Sequence, residues 1–279
     1  MKKIINFFKF PARIWRALII AMLTVASIEL AGNALFSGYS FLGIALFILF
    51  GFFFIFLYRE RGAFLNVYVL YRHECDPHKG LIMLVSTPFP EPVKENGSWV
   101  IKGRETEVTL TTSLENDIKN MEDAKSKGLR WNWQQLLRAL VPHVESIQKV
   151  YLIGSPDKTG PGGKTTGSYN FLECAREIIE GYIGADKVYI YEKPVDFEDF
   201  DKLIITINDC ISLIKGTGIS EKDIVIDITG GQKTASIAGA MATMNTRVTF
   251  QYVDTNPDPH TGEYKVWAYD VAIQTPPSI

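Results

Sequence analysis

A run of apolar residues without a single charge constrains the fold of this chain more than any other feature. It extends from Phe41 to Leu57, and a second, mostly apolar run extends from Ile14 to Leu35. A membrane-spanning helix needs about 20 apolar residues, with about 17 as the lower limit, so both runs are long enough. A cleaved signal peptide would account for one hydrophobic run but not for two. We therefore predict a two-helix transmembrane hairpin in residues 1–61, with spans at about residues 14–35 and 41–57.

The basic residues around these runs predict the orientation. Lys and Arg occur before the run that starts at Ile14 and after the run that ends at Leu57, and the link at residues 32–40 contains neither. Because positive charge is retained on the cytoplasmic side, we expect a two-span protein of the cell inner membrane with both termini and the soluble part in the cytoplasm. Cys75, Cys174 and Cys210 form no CxxC pattern. They agree with a reducing compartment and predict neither a disulfide nor a metal site.

Glu29 is the one carboxylate within a predicted span. An ionisable group at membrane depth is a functional candidate, because charge in hydrocarbon is costly. In one interpretation Glu29 lies near the outer interface, four residues before Asn33, and reaches the headgroups. In the other, oligomerisation brings several Glu29 side chains together along a pore. Glu29 is therefore the membrane or pore candidate.

Strand-like and helix-like segments alternate after a predicted connector at residues 62–79. We predict buried strands at residues 81–85, 150–153, 187–191, 224–228 and 248–253, with helices between them and an edge strand at 264–273. Strands separated by helices indicate a mostly parallel sheet that is covered on both faces. The predicted fold class is therefore α/β, with a Rossmann-like domain in residues 80–279.

Three of these strands end in small polar residues. Ser86 and Thr87 follow the first strand, Gly154 and Ser155 follow the second, and the turn 227–233 follows the fourth. Because the carboxyl ends of parallel strands meet at one edge of the sheet, where α/β domains bind ligands, we expect these residues to lie together. Their convergence is stronger evidence for a site than any single turn.

The turn after the fourth strand has the composition of an anion site. Two adjacent glycines let a ligand approach the backbone closely. Thr229 supplies a hydroxyl, Gln232 an amide and Lys233 a cation. The helix that follows would direct backbone N–H groups and the positive end of its dipole at the ligand. We therefore predict a site for a small polar or anionic molecule.

Several other functions are disfavoured. A net charge of -2 gives no basic field for duplex nucleic acid. Residues 163–165 have the sequence that ends a P-loop, but Lys158 stands where the first glycine is required. A basic, Gly-rich lid is therefore favoured at residues 156–168, with a plain surface loop as the alternative. Arg138 and His143 have a spacing that some ribonuclease domains use, but a structural role is favoured for both. We predict no catalytic residue, no metal and no cofactor.

The polar ends of the first and fourth predicted strands are similar to those of a known family. Residues from about 80 to 275 resemble CARF (CRISPR-associated Rossmann fold) domains, which bind cyclic oligoadenylates. The resemblance rests on Ser86-Thr87-Pro88 after the first strand. It rests also on the pattern [DN]-x-[ST]-x3-[RK], which Asp227, Thr229 and Lys233 match with two glycines between them.

The resemblance implies a ligand, an assembly and a set of residues. CARF domains dimerise and bind a ring of AMP units on the two-fold axis, and tetra-adenylate is the ring we expect. The implied partners are this second messenger, the lipid bilayer and further copies of the chain, in a homodimer or higher homo-oligomer. The implied ligand-binding residues are Ser86, Thr87, Asp227, Thr229, Gly230, Gly231, Gln232 and Lys233. Gly154 and Ser155 join them on sheet geometry alone.

Membrane-fused members of this group look like ancillary effectors of type III CRISPR antiviral defence that depolarise or permeabilise the cell's own membrane. We expect that function here, without enzymatic turnover. One alternative is a ring nuclease that degrades the cyclic oligoadenylate. Another is a membrane-tethered, nucleotide-sensing scaffold similar to SAVED domains. Two segments depart from a minimal CARF domain, the insertion at residues 89–112 and the long Gly-rich loop at residues 156–168.

Overall fold

The computed structural model describes residues 12–38, 40–60, 67–160, 163–230, 233–244 and 246–274. The chain divides into two compact units, one of residues 1–69 with 273–279 and one of residues 70–272. The helices are α1 (Ala12–Phe36), α2 (Ser40–Glu60), α3 (Leu114–Ser126), α4 (Gln134–Leu140), α5 (Leu172–Ile183), α6 (Phe200–Lys215) and α7 (Lys233–Thr243). The strands are β1 (Val67–Glu74), β2 (Gly80–Leu84), β3 (Val93–Glu95), β4 (Ser98–Lys102), β5 (Glu107–Thr109), β6 (Lys149–Ile153), β7 (Lys158–Gly160), β8 (Gly163–Thr165), β9 (Val188–Ile190), β10 (Ile224–Asp227), β11 (Thr249–Val253) and β12 (Val266–Gln274).

The first unit contains the helices α1 and α2, which contact each other. Small side chains lie at the contact: Ala31 and Ala34 are buried in α1, and Gly43 of α2 lies against Leu35. Within the described residues, one stretch, Ile19–Phe36, is long and apolar enough to cross a membrane by length and composition. The apolar stretch of α2, Phe41–Ile55, is shorter than that criterion requires. The described part of α1 and α2 thus provides one candidate span.

The second unit is built on a seven-stranded sheet in the order β1-β12-β11-β10-β2-β6-β9. The five strands from β11 to β9 are parallel to their neighbours, and β12 is antiparallel to β11. The mixed α/β class and the mostly parallel sheet predicted from the alternation are therefore confirmed. The strand β1 occupies residues that the sequence suggested as a connector, and it forms an edge of this sheet.

Alternation along β2 explains why helices cover both faces of the sheet. Leu81 and Met83 point to one face and Ile82 and Leu84 to the other, as the two-residue period of a strand requires. The first face packs against buried side chains of α3, α4 and α5, and the second against those of α6 and α7. All five residues of β2 are buried. The central strand is thus held from both sides.

Two small antiparallel elements lie in the segments that Sequence analysis described as departures from a minimal CARF domain. The insertion at residues 89–112 contains the antiparallel sheet β3-β4-β5. The Gly-rich loop at residues 156–168 contains the antiparallel hairpin β7-β8. Gly163–Thr165 therefore forms a strand, whereas a P-loop places these residues between a strand and a helix. These residues thus lack the strand–loop–helix arrangement of a P-loop.

Candidate functional site

The sheet order places the predicted polar residues at a single edge. The strands β10, β2 and β6 are parallel neighbours, so their carboxyl ends face the same direction. Ser86 follows β2 and lines one cavity with Thr229 and Gly230. It also lines a second cavity with Thr87 and Ser155. Ser86 thus lies between two cavities at the carboxyl edge of the sheet, where α/β domains bind ligands.

The cavity lined by Thr87 and Ser155, which we call the hairpin cavity, lies beside the β7-β8 hairpin and has a volume of about 320 Å³. Thr87 Oγ1 donates to the carbonyl oxygen of Thr166 at 3.2 Å, so a hydrogen bond joins the loop after β2 to the loop after the hairpin. Lys158, at the base of the hairpin, pairs with Asp196 at 2.7 Å and Glu198 at 2.6 Å. These acidic partners offset the charge that a basic lid would present.

The cavity lined by Thr229 and Gly230, which we call the helix cavity, has a volume of about 380 Å³ and lies beside the start of α4. Its lining residues are Leu84, Ser86, Asn132, Trp133, Gln135, Leu136, Asp227, Thr229 and Gly230. The volume lies within the range of small-molecule sites, roughly 300–1,000 Å³. Apolar walls with a few polar groups are also typical of such sites.

The Asp227–Thr229 turn is stabilised from inside the domain. Asp227 is only 2% exposed, and its Oδ1 accepts a hydrogen bond from Thr229 Oγ1 at 2.7 Å. The Thr229 hydroxyl in turn accepts from the Val253 backbone N–H at 2.9 Å. Burial raises the pKa of Asp227 to about 6, against the hydrogen bonds from Thr229 and Gln251. The Asp227 carboxyl therefore positions the turn, and the Thr229 hydroxyl already has a donor and an acceptor as partners.

Gly230 brings the turn into direct contact with the end of β2. A Cβ atom at this position would lie 2.0 Å from the carbonyl oxygen of Leu84, which is too close for any side chain. Gly231 and Gln232 lie outside the described residues. Lys233 is exposed at the first position of α7 and has no ion-pair partner in the described ranges. It is thus the cation of this turn that is available to a ligand.

The residues after β6 mainly pack the loop that follows. The Ser155 backbone N–H donates to Ser168 Oγ at 2.8 Å, and the two hydroxyl oxygens lie 3.2 Å apart. A Cβ at Gly154 would lie 2.7 Å from the Cα of Tyr169, so the glycine permits close backbone packing. Ser155 also lines the hairpin cavity, whereas Gly154 lines neither of the two cavities.

Sequence analysis did not identify the residues at the start of α4 as part of the site. Asn132 donates from Nδ2 to Ser86 Oγ at 3.2 Å and to the Thr87 carbonyl oxygen at 2.8 Å. Trp133 donates from Nε1 to the Ser86 carbonyl oxygen at 2.7 Å. These bonds fix the loop after β2 against α4. The available signal was a cluster of amide side chains, Asn132, Gln134 and Gln135, beside buried tryptophans.

A buried polar network lies on the same face of the sheet as α4. Gln251 is fully buried, and its Oε1 lies 2.7 Å from His143 Nε2 and accepts from the Cys75 thiol at 3.2 Å. Gln251 Nε2 donates to the Ala139 carbonyl oxygen at 2.9 Å. His143 Nδ1 accepts the backbone N–H of His78 at 3.0 Å, which assigns the ring proton to Nε2. The hydrogen bonds of Gln251 therefore join β11 to the segment before β6 and to the end of β1.

Cys75, His78 and His143 have the composition of a metal site, with ligand atoms within 4.8 Å of one another. In the described structure all three side chains take part in hydrogen bonds. Burial raises the pKa of Cys75 to about 12 and lowers the pKa of His143 to about 4, so thiol and imidazole are both neutral at physiological pH. A metal on His143 Nε2 would displace the proton that faces Gln251, and the bond from His78 leaves Nδ1 no room to take it.

Arg138 has a structural environment as well. Its guanidinium pairs with Glu122 and lies 3.4 Å from the centroid of the Tyr264 ring. Burial lowers the pKa of Arg138 to about 10, and it stays charged at neutral pH. Arg138 and His143 are thus engaged in two separate sets of contacts, as the structural interpretation of their spacing predicted.

Comparison with known proteins identifies a relative but no family. No family model matches the chain. An uncharacterised protein of Aquifex aeolicus (strain VF5) is 33% identical over 132 residues, which are 47% of this chain and 40% of that protein. The aligned part thus spans less than half of the relative's length, and it assigns neither an activity nor a ligand.

Proposed function

We propose that the chain is a membrane-attached sensor of cyclic oligoadenylate, similar to CARF domain effectors of antiviral defence. The observation that carries the proposal is the meeting of two cavities at Ser86, beside the turn that leads to Lys233. A cyclic oligonucleotide offers phosphates and bases in alternation. Two adjacent cavities and a nearby cation are suited to such a ligand.

The phosphates are assigned to the start of α7. Lys233 provides a positive charge there, and the first turn of a helix directs backbone N–H groups at an anion. Ser86 adds a hydroxyl whose oxygen accepts from Asn132 and whose proton is available to a ligand. Charge-assisted hydrogen bonds of this kind are roughly twice as strong as neutral ones.

The proposed assembly is a homodimer or a higher homo-oligomer. A ring of identical AMP units has rotational symmetry, and two copies of the same edge around a two-fold axis would offer it identical contacts. Binding would then favour one arrangement of the two copies over others. A ligand shifts such an equilibrium only by its difference in affinity for the two arrangements.

The membrane part of the proposal extends the single span found in α1. We propose that α2 supplies a second span, since its first 18 residues carry no charge, and that both termini are cytoplasmic at the inner membrane. Glu29 is exposed on α1, within the stretch long enough to cross the bilayer. Oligomerisation would gather several copies of this carboxylate into a polar path through the membrane.

Ligand binding is tested by calorimetric titration of the full-length protein in detergent with cyclic tri-, tetra- and hexa-adenylate. We expect submicromolar binding of one ring, and a loss of at least tenfold in affinity for Lys233→Ala, because a charge-assisted contact contributes roughly 1.5–3 kcal/mol. Lys222→Ala is the matched control, since Lys222 is exposed just before β10, at the opposite end of that strand. If none of the rings binds, the sensor proposal is wrong.

Permeabilisation is tested with the full-length protein in liposomes that contain a trapped dye. We expect the ring that binds to release the dye, and Glu29→Gln to reduce release several-fold while ligand affinity is unchanged, because a neutral amide attracts cations less. Ile28→Leu, at the neighbouring apolar position, should behave as the wild type. Confirmed binding without any release would contradict the pore and leave the helices as an anchor.

A further inference from the structure

Gln135 carries a buried hydrogen-bonding atom with no partner in the described part of the chain. Its Oε1 is shielded from solvent and accepts no hydrogen bond. Gln135 lines the helix cavity at the start of α4. A buried acceptor without a donor has lost its hydrogen bonds to water, and no hydrogen bond within the protein offsets that loss of free energy. Its presence in the wall of a cavity indicates a ligand that brings a donor.

The other polar side chains of this cavity are already engaged. The Thr229 hydroxyl is bonded to Asp227 and to the Val253 backbone. Asn132 bonds through Nδ2 to Ser86 and Thr87, and its Oδ1 accepts the Phe89 backbone N–H at 2.6 Å. The Trp133 indole N–H donates to the Ser86 carbonyl oxygen. The Gln135 amide and the Ser86 hydroxyl proton are thus the groups of this cavity that can still form a hydrogen bond with a ligand.

The charge of the cavity disfavours a phosphate. Asp227 lies at its wall, and none of its lining residues is Lys or Arg. Leu84 and Leu136 provide apolar surface. An uncharged planar group that carries a hydrogen-bond donor fits such walls better than an anion, because a phosphate would be desolvated beside a carboxyl group.

We propose that the helix cavity is the nucleobase subsite of the sensor and that Gln135 is its specificity-determining residue. This inference rests on the proposed function. A glutamine amide pairs with adenine through two hydrogen bonds: its oxygen accepts from the exocyclic amine and its nitrogen donates to the ring nitrogen N7. Hypoxanthine carries an oxygen in place of that amine. It therefore leaves the Gln135 oxygen without a donor and binds less tightly.

The test compares cyclic tetra-adenylate with cyclic tetra-inosinate by calorimetry on the full-length protein in detergent. We expect the wild type to prefer the adenylate ring by about tenfold or more, as a paired glutamine discriminates between bases. Gln135→Leu has a similar volume but no amide, and it should bind both rings with nearly equal affinity. Gln148→Leu, at an exposed position before β6, should keep the wild-type preference.

The outcomes separate this inference from the proposed function. Equal affinity of the wild type for both rings would overturn the base subsite and leave the sensor intact, and this result requires no variant to fold. If a folded Gln135→Leu protein still prefers the adenylate ring as the wild type does, Gln135 does not determine the base specificity. If a ring of another size binds, the same comparison is made with that ring, and failure of the wild type to bind any of the three adenylate rings would reject the sensor and the subsite together.

Discussion

Substitution of Gly230 by alanine is expected to destabilise the sheet domain by about 1–3 kcal/mol and to abolish ligand binding. The new Cβ would lie 2.0 Å from the Leu84 carbonyl oxygen, a backbone atom at the end of the central strand β2. Because β2 is paired with β6 and β10 on its two sides, Leu84 cannot move away without disturbing both pairings. The turn must shift instead, which displaces Thr229 and Lys233 from their positions at the site.

The effect is measured by urea unfolding of the full-length protein in detergent, followed by near-ultraviolet circular dichroism, together with the titration. Gly181→Ala is the control. Gly181 lies in α5, and its added Cβ would meet only Thr112 at an ordinary 3.6 Å. Alanine favours helix over glycine by up to about 1 kcal/mol, so the control should be neutral or stabilised. A Gly230→Ala protein with wild-type stability and affinity would show that the turn is not pressed against β2.

The second large effect is expected for Gln251→Leu, which should lower the free energy of unfolding by about 2–4 kcal/mol, since each buried group left without a partner costs about 1–3 kcal/mol. The substitution removes the acceptor of the His143 ring N–H and the donor to the Ala139 carbonyl oxygen. It also removes the contribution of Gln251 that lowers the pKa of Asp227 against the effect of burial. The surroundings are closed to water, because Gln251 and His143 are both fully buried.

A double-mutant cycle with His143→Leu tests whether the loss arises from the network. Removing both partners of a buried hydrogen bond costs less than removing one of them, because no group is left unsatisfied. The double variant should therefore lose at least about 0.5 kcal/mol less than the sum of the two single variants. Additive losses would mean that Gln251 and His143 are not coupled, and that packing alone explains each effect.

The sequence predicted the central strands and their polar ends because both are local signals. Buried runs such as 81–85 and 224–228 are apolar and bounded by turn residues, and parallel order then brings their ends together. The direction in which a side chain points, in contrast, depends on residues that are distant in the sequence. Asp227 and Thr229 matched a ligand-binding pattern, yet their polar atoms are directed at each other and at Val253, which depends on the register between β10 and β11.

Two features, the site residues at the start of α4 and the strand β1, could not be predicted from the sequence because they depend on contacts between distant segments. Asn132 and Gln135 belong to the site only because α4 packs beside the end of β2. The strand β1 lies in a segment with several charges, and its conformation depends on pairing with β12. Strand preference is largely a matter of neighbours, so such a segment cannot be distinguished from a connector by its own composition.

The pairing of β1 with β12 also sets an order of events during synthesis. About 190 residues separate the end of β1 from the start of β12. At about 5–20 residues per second, the ribosome needs on the order of ten seconds or more to supply the partner. The central strand β2 likewise waits for β10. The helices α1 and α2 are complete before either pairing is possible, so membrane insertion can precede closure of the sheet. Under the proposed function, a newly made chain would therefore be anchored first and become able to bind its ligand only when β12 has been translated.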